Sequence, residues 1–65
     1  MTVSIDTKKL VGMDEHQASR LIAIGNGKPN VVTRDGFPVT VNTDFDMSRV
    51  NMDIKNGKVT RAWIG

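Results

Sequence analysis

The chain has 65 residues, with 9 lysines and arginines against 7 aspartates and glutamates, one histidine and no cysteine. That length allows a single domain, and a domain of this size hides only about 60% of the surface its unfolded chain exposes, so there is little room for a deep substrate cavity beside a core. The missing cysteines exclude disulfides and thiolate metal sites, and the lone His16 excludes a multi-histidine centre. The net charge of +2 is spread along the chain, without the basic run interleaved with aromatics that a single-strand nucleic-acid binder uses.

In chain order, residues 1–9 read as an N-terminal arm. They lack a charged region followed by an apolar stretch, so no signal peptide is evident, and the expected location is cytoplasmic or that of a processed secreted form. Val3 and Ile5 alternate with Ser4 and Asp6 like a short edge strand, and Lys8 and Lys9 read as a solvated pair. Leu10 and Val11 are expected to dock on the core, and Gly12 to permit a tight turn. Asp14 then begins the clearest element. Its carboxylate can accept free backbone N–H groups of the next turn, and Gln17, three residues on, completes an Asp-x-x-Gln capping box. Met13 and Ala18 are spaced as a hydrophobic staple. Ala18, Leu21 and Ile22 form one apolar stripe, with His16 exposed in the first turn. Gly25, Asn26 and Gly27 stop the helix, which is predicted over residues 14–24.

Pro29 bars any continuation of the helix. Asn30 to Thr33 is β-branched and reads as a strand, and Arg34-Asp35-Gly36 is a turn signal. Residues 37–48 read as a long exposed loop: Val39 and Val41 suggest extended backbone, but a stretch of that length with little regular structure is uncommon in a compact domain unless it is functional. Asp44 and Asp46 lie within it. They lack an acid–base partner, and also the glycine and distal glutamate of a calcium loop, so they read as solvated or turn-capping residues. Met47 and Met52 read as packing residues.

From Arg49 to Lys55 the alternation is clean, with Val50, Met52 and Ile54 on one face and Arg49, Asn51 and Asp53 on the other. Asn56-Gly57 is a two-residue hairpin signal, because both central positions of a type I′ turn need positive φ. The return strand runs from Lys58 to Ile64. Simple pairing would set Arg61 against Met52, which predicts a bulge or a longer turn. Trp63 is expected in the core or half-buried at the sheet end. The connection between the strands on either side of the loop is long enough for a crossover and so permits parallel pairing. The fold class expected is α+β: one α-helix packed on a small mixed β-sheet, with a long exposed loop between two parallel strands. No apolar run approaches the roughly 18 residues of a membrane span.

Several segments together resemble the potato inhibitor I family of serine protease inhibitors, and look still more like the related bacterial and fungal elastase-inhibitor family. They are Leu10-Val11-Gly12 leading into the capped helix with Gln17-Ala18, Val31-Val32, Thr43-Asp44-Phe45, Arg49-Val50-Asn51-Met52-Asp53-Ile54, Asn56-Gly57-Lys58-Val59 and the final Gly65. The resemblance implies a protein that is not an enzyme, needs no cofactor or metal, and inserts an extended loop into a protease cleft. Counting back from Arg49, it implies a binding loop of Val41, Asn42, Thr43, Asp44 and Phe45. The scissile bond would join Thr43 to Asp44, with Thr43 in the primary specificity pocket and Asn42 as the alternative. Arg49 and Asn51 would support the loop from behind, Asn51 standing where the plant members have a second arginine.

The chain departs from the family pattern in a longer stretch from Gly36 to Arg49, in the absence of the cysteines many microbial members carry, and in Thr43, which is small and β-branched. Thr43 points to an elastase-like or subtilisin-like target. The partner expected is therefore a serine protease, not nucleic acid or membrane, and the inhibitor would be a monomer or weak dimer. The alternative expectation is a non-inhibitory small protein-binding module on the same fold, since fold does not dictate function; a weak nucleic-acid binder is a third.

Overall fold

Asp14 starts the helix as its sequence predicts. Its carboxylate accepts the backbone N–H groups of His16 at 3.0 Å and Gln17 at 3.4 Å, and helix α1 runs Glu15–Ile24. The structure, a computed structural model, describes residues 5–65. The helix ends in a Schellman turn: Asn26 takes the left-handed conformation at φ 66°, its N–H reaches the Ala23 carbonyl at 3.1 Å, and the Gly27 N–H reaches Ile22 at 2.8 Å. Asparagine tolerates this conformation through local hydrogen bonding, so the flanking glycines leave that role to it.

The suggested strand over Val3 and Ile5 begins outside the described residues. Within the arm, Thr7–Leu10 forms a short 3-10 helix, capped by Asp6, whose side chain accepts the Lys8 N–H at 3.0 Å. Leu10 is buried at its end, whereas Val11 is 51% exposed; the turn at Gly12 directs only the first of the expected pair inward. The segment after Gly12 lies along the return strand, with Gly12 N–H on the Val59 carbonyl and Val59 N–H on the Met13 carbonyl.

Among the described residues, strands β1 (Lys28–Arg34), β2 (Phe37–Pro38), β3 (Arg49–Lys55) and β4 (Lys58–Ile64) make one sheet in the order β2-β1-β3-β4. Strands β1 and β3 are parallel, as expected, and both other pairings are antiparallel. Two type I′-like turns close the hairpins. Asp35 and Gly36 lie at φ 53° and 84°, and Asn56 and Gly57 at φ 52° and 75°. The first of these turns creates β2, which the sequence reading folds into the loop; only two residues pair, Phe37 with Arg34 and Pro38 with Thr33. The expected bulge is present in β4. It falls at Thr60, so that Arg61 sits opposite Asp53 and Ala62 opposite Met52.

The core lies between α1 and one face of the sheet. Leu10, Ala18, Ile22, Val50, Met52, Ile54 and Val59 are buried, with Ile5, Met13, Val31 and Ala62 packed against them. Of the predicted helix stripe, Ala18 and Ile22 are fully buried while Leu21 is 38% exposed. A ten-residue helix on so narrow a sheet presents only a thin line to it, and Leu21 falls at the margin. Met52 is a core residue as predicted, but Met47 is 59% exposed. The opposite face of the sheet carries Asn30, Thr33, Arg49, Asn51, Asp53, Arg61 and Trp63, and among the described residues no helix lies over it.

Candidate functional site

Residues 39–48 leave the β2 end of the sheet and return to β3 beside the uncovered polar face. The departing end is held by main chain: the N–H groups of Val39 and Thr40 approach the Val32 carbonyl at 2.8 and 3.4 Å. The returning end is held by a turn. Asp46 accepts both the Ser48 hydroxyl at 2.7 Å and the Ser48 N–H at 2.9 Å, and its other oxygen takes the Lys28 ammonium at 3.1 Å. Three donors on one carboxylate favour its charged form. The Ser48 hydroxyl first, then its N–H and Lys28, hold Asp46 well below the usual aspartate range. Lys28 closes the same corner from β1 by giving its N–H to the Ser48 carbonyl at 2.7 Å.

Arg49, the first residue of β3, joins the loop to the body. Its Nη2 donates to the Asp44 carbonyl at 2.8 Å and lies 3.5 Å from the Asp44 carboxylate, while Nε donates to the Gly65 carbonyl at 3.2 Å. The arginine side chain is only 11% exposed, against 77% for Asp44. A planar guanidinium suits this job because it offers several donors in a fixed fork. Gly65 is the third party: its N–H returns to the Arg49 carbonyl at 3.1 Å, and its φ of +147° is one that a side chain disfavours. The ring of Phe45 rests against it, since a Cβ added there would lie 3.5 Å from a ring carbon.

The sequence-predicted residues therefore fall into two groups. Val41, Asn42, Thr43, Asp44 and Phe45 are all exposed on the loop, Val41 to 82% and Phe45 to 72%. Among the described residues, Val41, Asn42 and Thr43 make no backbone hydrogen bond in the loop. Behind them, Arg49 reaches Asp44, but Asn51 turns elsewhere. Asn51 is 4% exposed and accepts the Asn30 side-chain N–H at 2.8 Å, so it bridges β3 to β1 rather than bonding to the loop. It forms the floor of an open groove of about 450 Å³ between loop and sheet, with Val32, Thr40, Asn42, Asp44 and Trp63 around it. Trp63 is half-buried there as expected, with the Arg61 guanidinium 4.9 Å above its ring, a cation–π arrangement.

Lys28, Asp46, Ser48 and Gly65 also fix the loop and were not anticipated as loop supports. Asp46-Met47-Ser48 carries the Asx-turn signal, so that much is readable locally. The Lys28 contact joins residues 18 apart and has no local signal. Among the described residues, no group of three or more His, Cys, Asp or Glu side chains is placed to hold a metal ion, and no helix is long and apolar enough to cross a membrane. No family model, no curated protein and no solved structure matches the chain.

Proposed function

We propose that the chain is a serine protease inhibitor that presents Val41 to Phe45 to the protease cleft as a ready-made extended strand. The observation that carries this reading is the Arg49 guanidinium fixed to both the carbonyl and the carboxylate side of Asp44, while the residues just before it are exposed and keep their backbone groups free. Peptides bind such clefts as an added strand through main-chain hydrogen bonds, and free groups at 41–43 suit that pairing. Ordering a mobile side chain on binding costs about 0.5–1.5 kcal/mol; a loop already braced by Arg49 and by the Asp46–Ser48 turn meets much of that cost during folding.

The same bracing suppresses turnover. The enzyme's serine would attack the Thr43 carbonyl carbon, form an ester with Thr43 and release the amine of Asp44. That amine belongs to a residue held by Arg49, two residues before the Asp46 turn. It stays beside the ester, attacks it, expels the serine and restores the peptide bond. On the acyl side, the Val39 and Thr40 contacts with Val32 keep the other stump in place. Thr43 as primary-pocket residue fits an elastase-like or subtilisin-like enzyme.

One observation favours a second reading, a non-inhibitory protein-binding module. Asn51 pairs with Asn30, which leaves Arg49 as the side-chain tether from β3 to the loop. A loop tethered from β3 by one side chain rather than two is cut more readily. Titration against subtilisin, elastase, chymotrypsin and trypsin separates the two, following residual activity and cleavage between Thr43 and Asp44. Tight inhibition with slow cutting is expected. Rapid cutting, or no interaction with any of the four, would overturn the inhibitor reading in favour of the module.

A further inference from the structure

Of the nine large hydrophobic side chains exposed on the described surface, five lie between residues 37 and 47. They share a parity. Phe37 is 74% exposed, Val39 50%, Val41 82%, Phe45 72% and Met47 59%, and Thr43 is the exposed residue in the middle of the series. The even positions are mixed: Thr40, Asp46 and Ser48 are half-buried, Asp46 and Ser48 being bonded to each other, whereas Pro38, Asn42 and Asp44 are exposed although they border the groove, as Val41 also does. The segment therefore carries most of the large apolar side chains exposed among the described residues. Such a concentration beside the proposed binding loop is the kind of surface that marks an interaction site.

The stripe is longer than the stretch proposed to enter the cleft. At about 3.3 Å per residue, Phe37 lies roughly 20 Å before Thr43 along extended chain, beyond the residues that flank a scissile bond. Strand β2, which carries Phe37, is one of the two edge strands of the sheet, β4 being the other. It is two residues long and its second residue is Pro38, two features that blunt an edge against strand addition. A second copy pairing along β2 is therefore disfavoured, and what β2 offers is side chains.

We propose that Phe37 and Val39 form a second contact with the same protease, meeting an apolar patch on the enzyme beside the end of its cleft that receives the residues before the scissile bond. The proposal rests on the inhibitor reading and adds to it a determinant of target choice outside the loop. Both side chains are outside the core and at least half exposed, so their replacement leaves the fold intact.

The test compares the wild-type protein with the double variant Phe37→Ser, Val39→Ser against every protease in the panel that the wild type inhibits, with circular dichroism and sedimentation equilibrium on both proteins. The expected result is an inhibition constant raised about tenfold or more for at least one enzyme, the usual consequence of removing an interface anchor, with an unchanged spectrum, an unchanged state of association and an unchanged rate of cutting between Thr43 and Asp44. Equal constants for both proteins overturn this proposal and leave the inhibitor reading standing. A wild-type protein that inhibits none of the enzymes overturns both. A wild-type dimer that the substitutions convert to monomer assigns the stripe to self-association instead and also overturns the proposal.

Discussion

The two faces of the sheet solve different problems with the same strands. On the helix side, Val50, Met52, Ile54 and Val59 meet Ala18, Ile22 and Leu10 with less than one-twentieth of each side chain's surface left exposed, and stability comes from removing apolar surface from water. On the loop side, Asn30, Thr33, Arg49, Asn51 and Asp53 are joined by hydrogen bonds across strands and to the loop. Each such bond contributes little net free energy, since folding exchanges it for a bond to water, but an unmade one under cover is costly. One face therefore sets how much stability the domain has. The other sets where ten residues of loop are held, and tolerates polar side chains because they find hydrogen-bond partners in neighbouring strands, in the loop and at Gly65.

The largest effect expected from breaking this division is at Met52, which is fully buried. Met52→Ala should lower unfolding free energy by about 2–5 kcal/mol, which is a large share of the total for a domain of this size. Urea unfolding followed by tryptophan fluorescence measures it, Trp63 being the reporter. Where the variant remains folded, its loop should inhibit and resist cutting like the wild type. A loss below about 1 kcal/mol would mean that the helix side does not dominate stability.

Arg49 sharpens the contrast from the other face. Arg49→Ala removes donors from the Asp44 and Gly65 carbonyls, and hydrogen bonds from charged groups contribute about 1.5–3 kcal/mol in favourable settings. Because part of the replacement is made by water at an exposed loop, global stability should fall by about 1–2 kcal/mol, less than for Met52→Ala. Cleavage between Thr43 and Asp44 should instead accelerate by about tenfold or more, the equivalent of about 1.4 kcal/mol of lost bracing. Arg49→Lys should rescue it only in part, since one ammonium lacks the fork that spans two carbonyls. Mass spectrometry of the protein incubated with subtilisin reads the cut directly. An uncut Arg49→Ala variant that inhibits as well as the wild type would remove the arginine from the account.

The difference between the faces also explains what was legible in the residues beforehand. The helix, the turn at Asp35-Gly36, the hairpin at Asn56-Gly57 and the bulge near Arg61 follow from local rules: a capping aspartate, glycines and asparagines at positive φ, and period-two alternation; the parallel pair follows from the length of the connection between its strands. The core side of β3 is readable for the same reason. The loop side is not, because its contacts join distant residues by hydrogen bonds that leave no periodic mark. Asn51 resembles a loop support by position, yet its neighbour proves to be Asn30 across the parallel pairing, a register that only the folded sheet defines. Met47 has the apolar side chain that usually packs inward, but the Asp46–Ser48 turn fixes the polar residues on each side of it and leaves Met47 on the outside. Strand β2 escaped because two residues are too short for a pattern.

The smallest effect belongs to Asp46, and it tests whether the loop's returning end is held by charge. Its folded carboxyl group is held below the usual range by the Ser48 hydroxyl and N–H and by Lys28. A depressed folded value means that the carboxylate's contribution is complete above the unfolded value of about 3.9, and is lost only as acid carries the pH down through the lower folded value. Between pH 5 and 3, where an ordinary aspartate takes up its proton, the Ser48 amide resonance should therefore hold its position. Asp46→Asn keeps the shape but weakens the acceptor and drops the charge opposite Lys28. It should quicken amide exchange at Ser48 and raise cutting at Thr43–Asp44 by less than Arg49→Ala does, with the helix-side amides unchanged. A Ser48 resonance that titrates with a midpoint near 3.9 would show that the turn does not hold its carboxylate in solution, and the returning end of the loop would then depend on Arg49 rather than on Asp46.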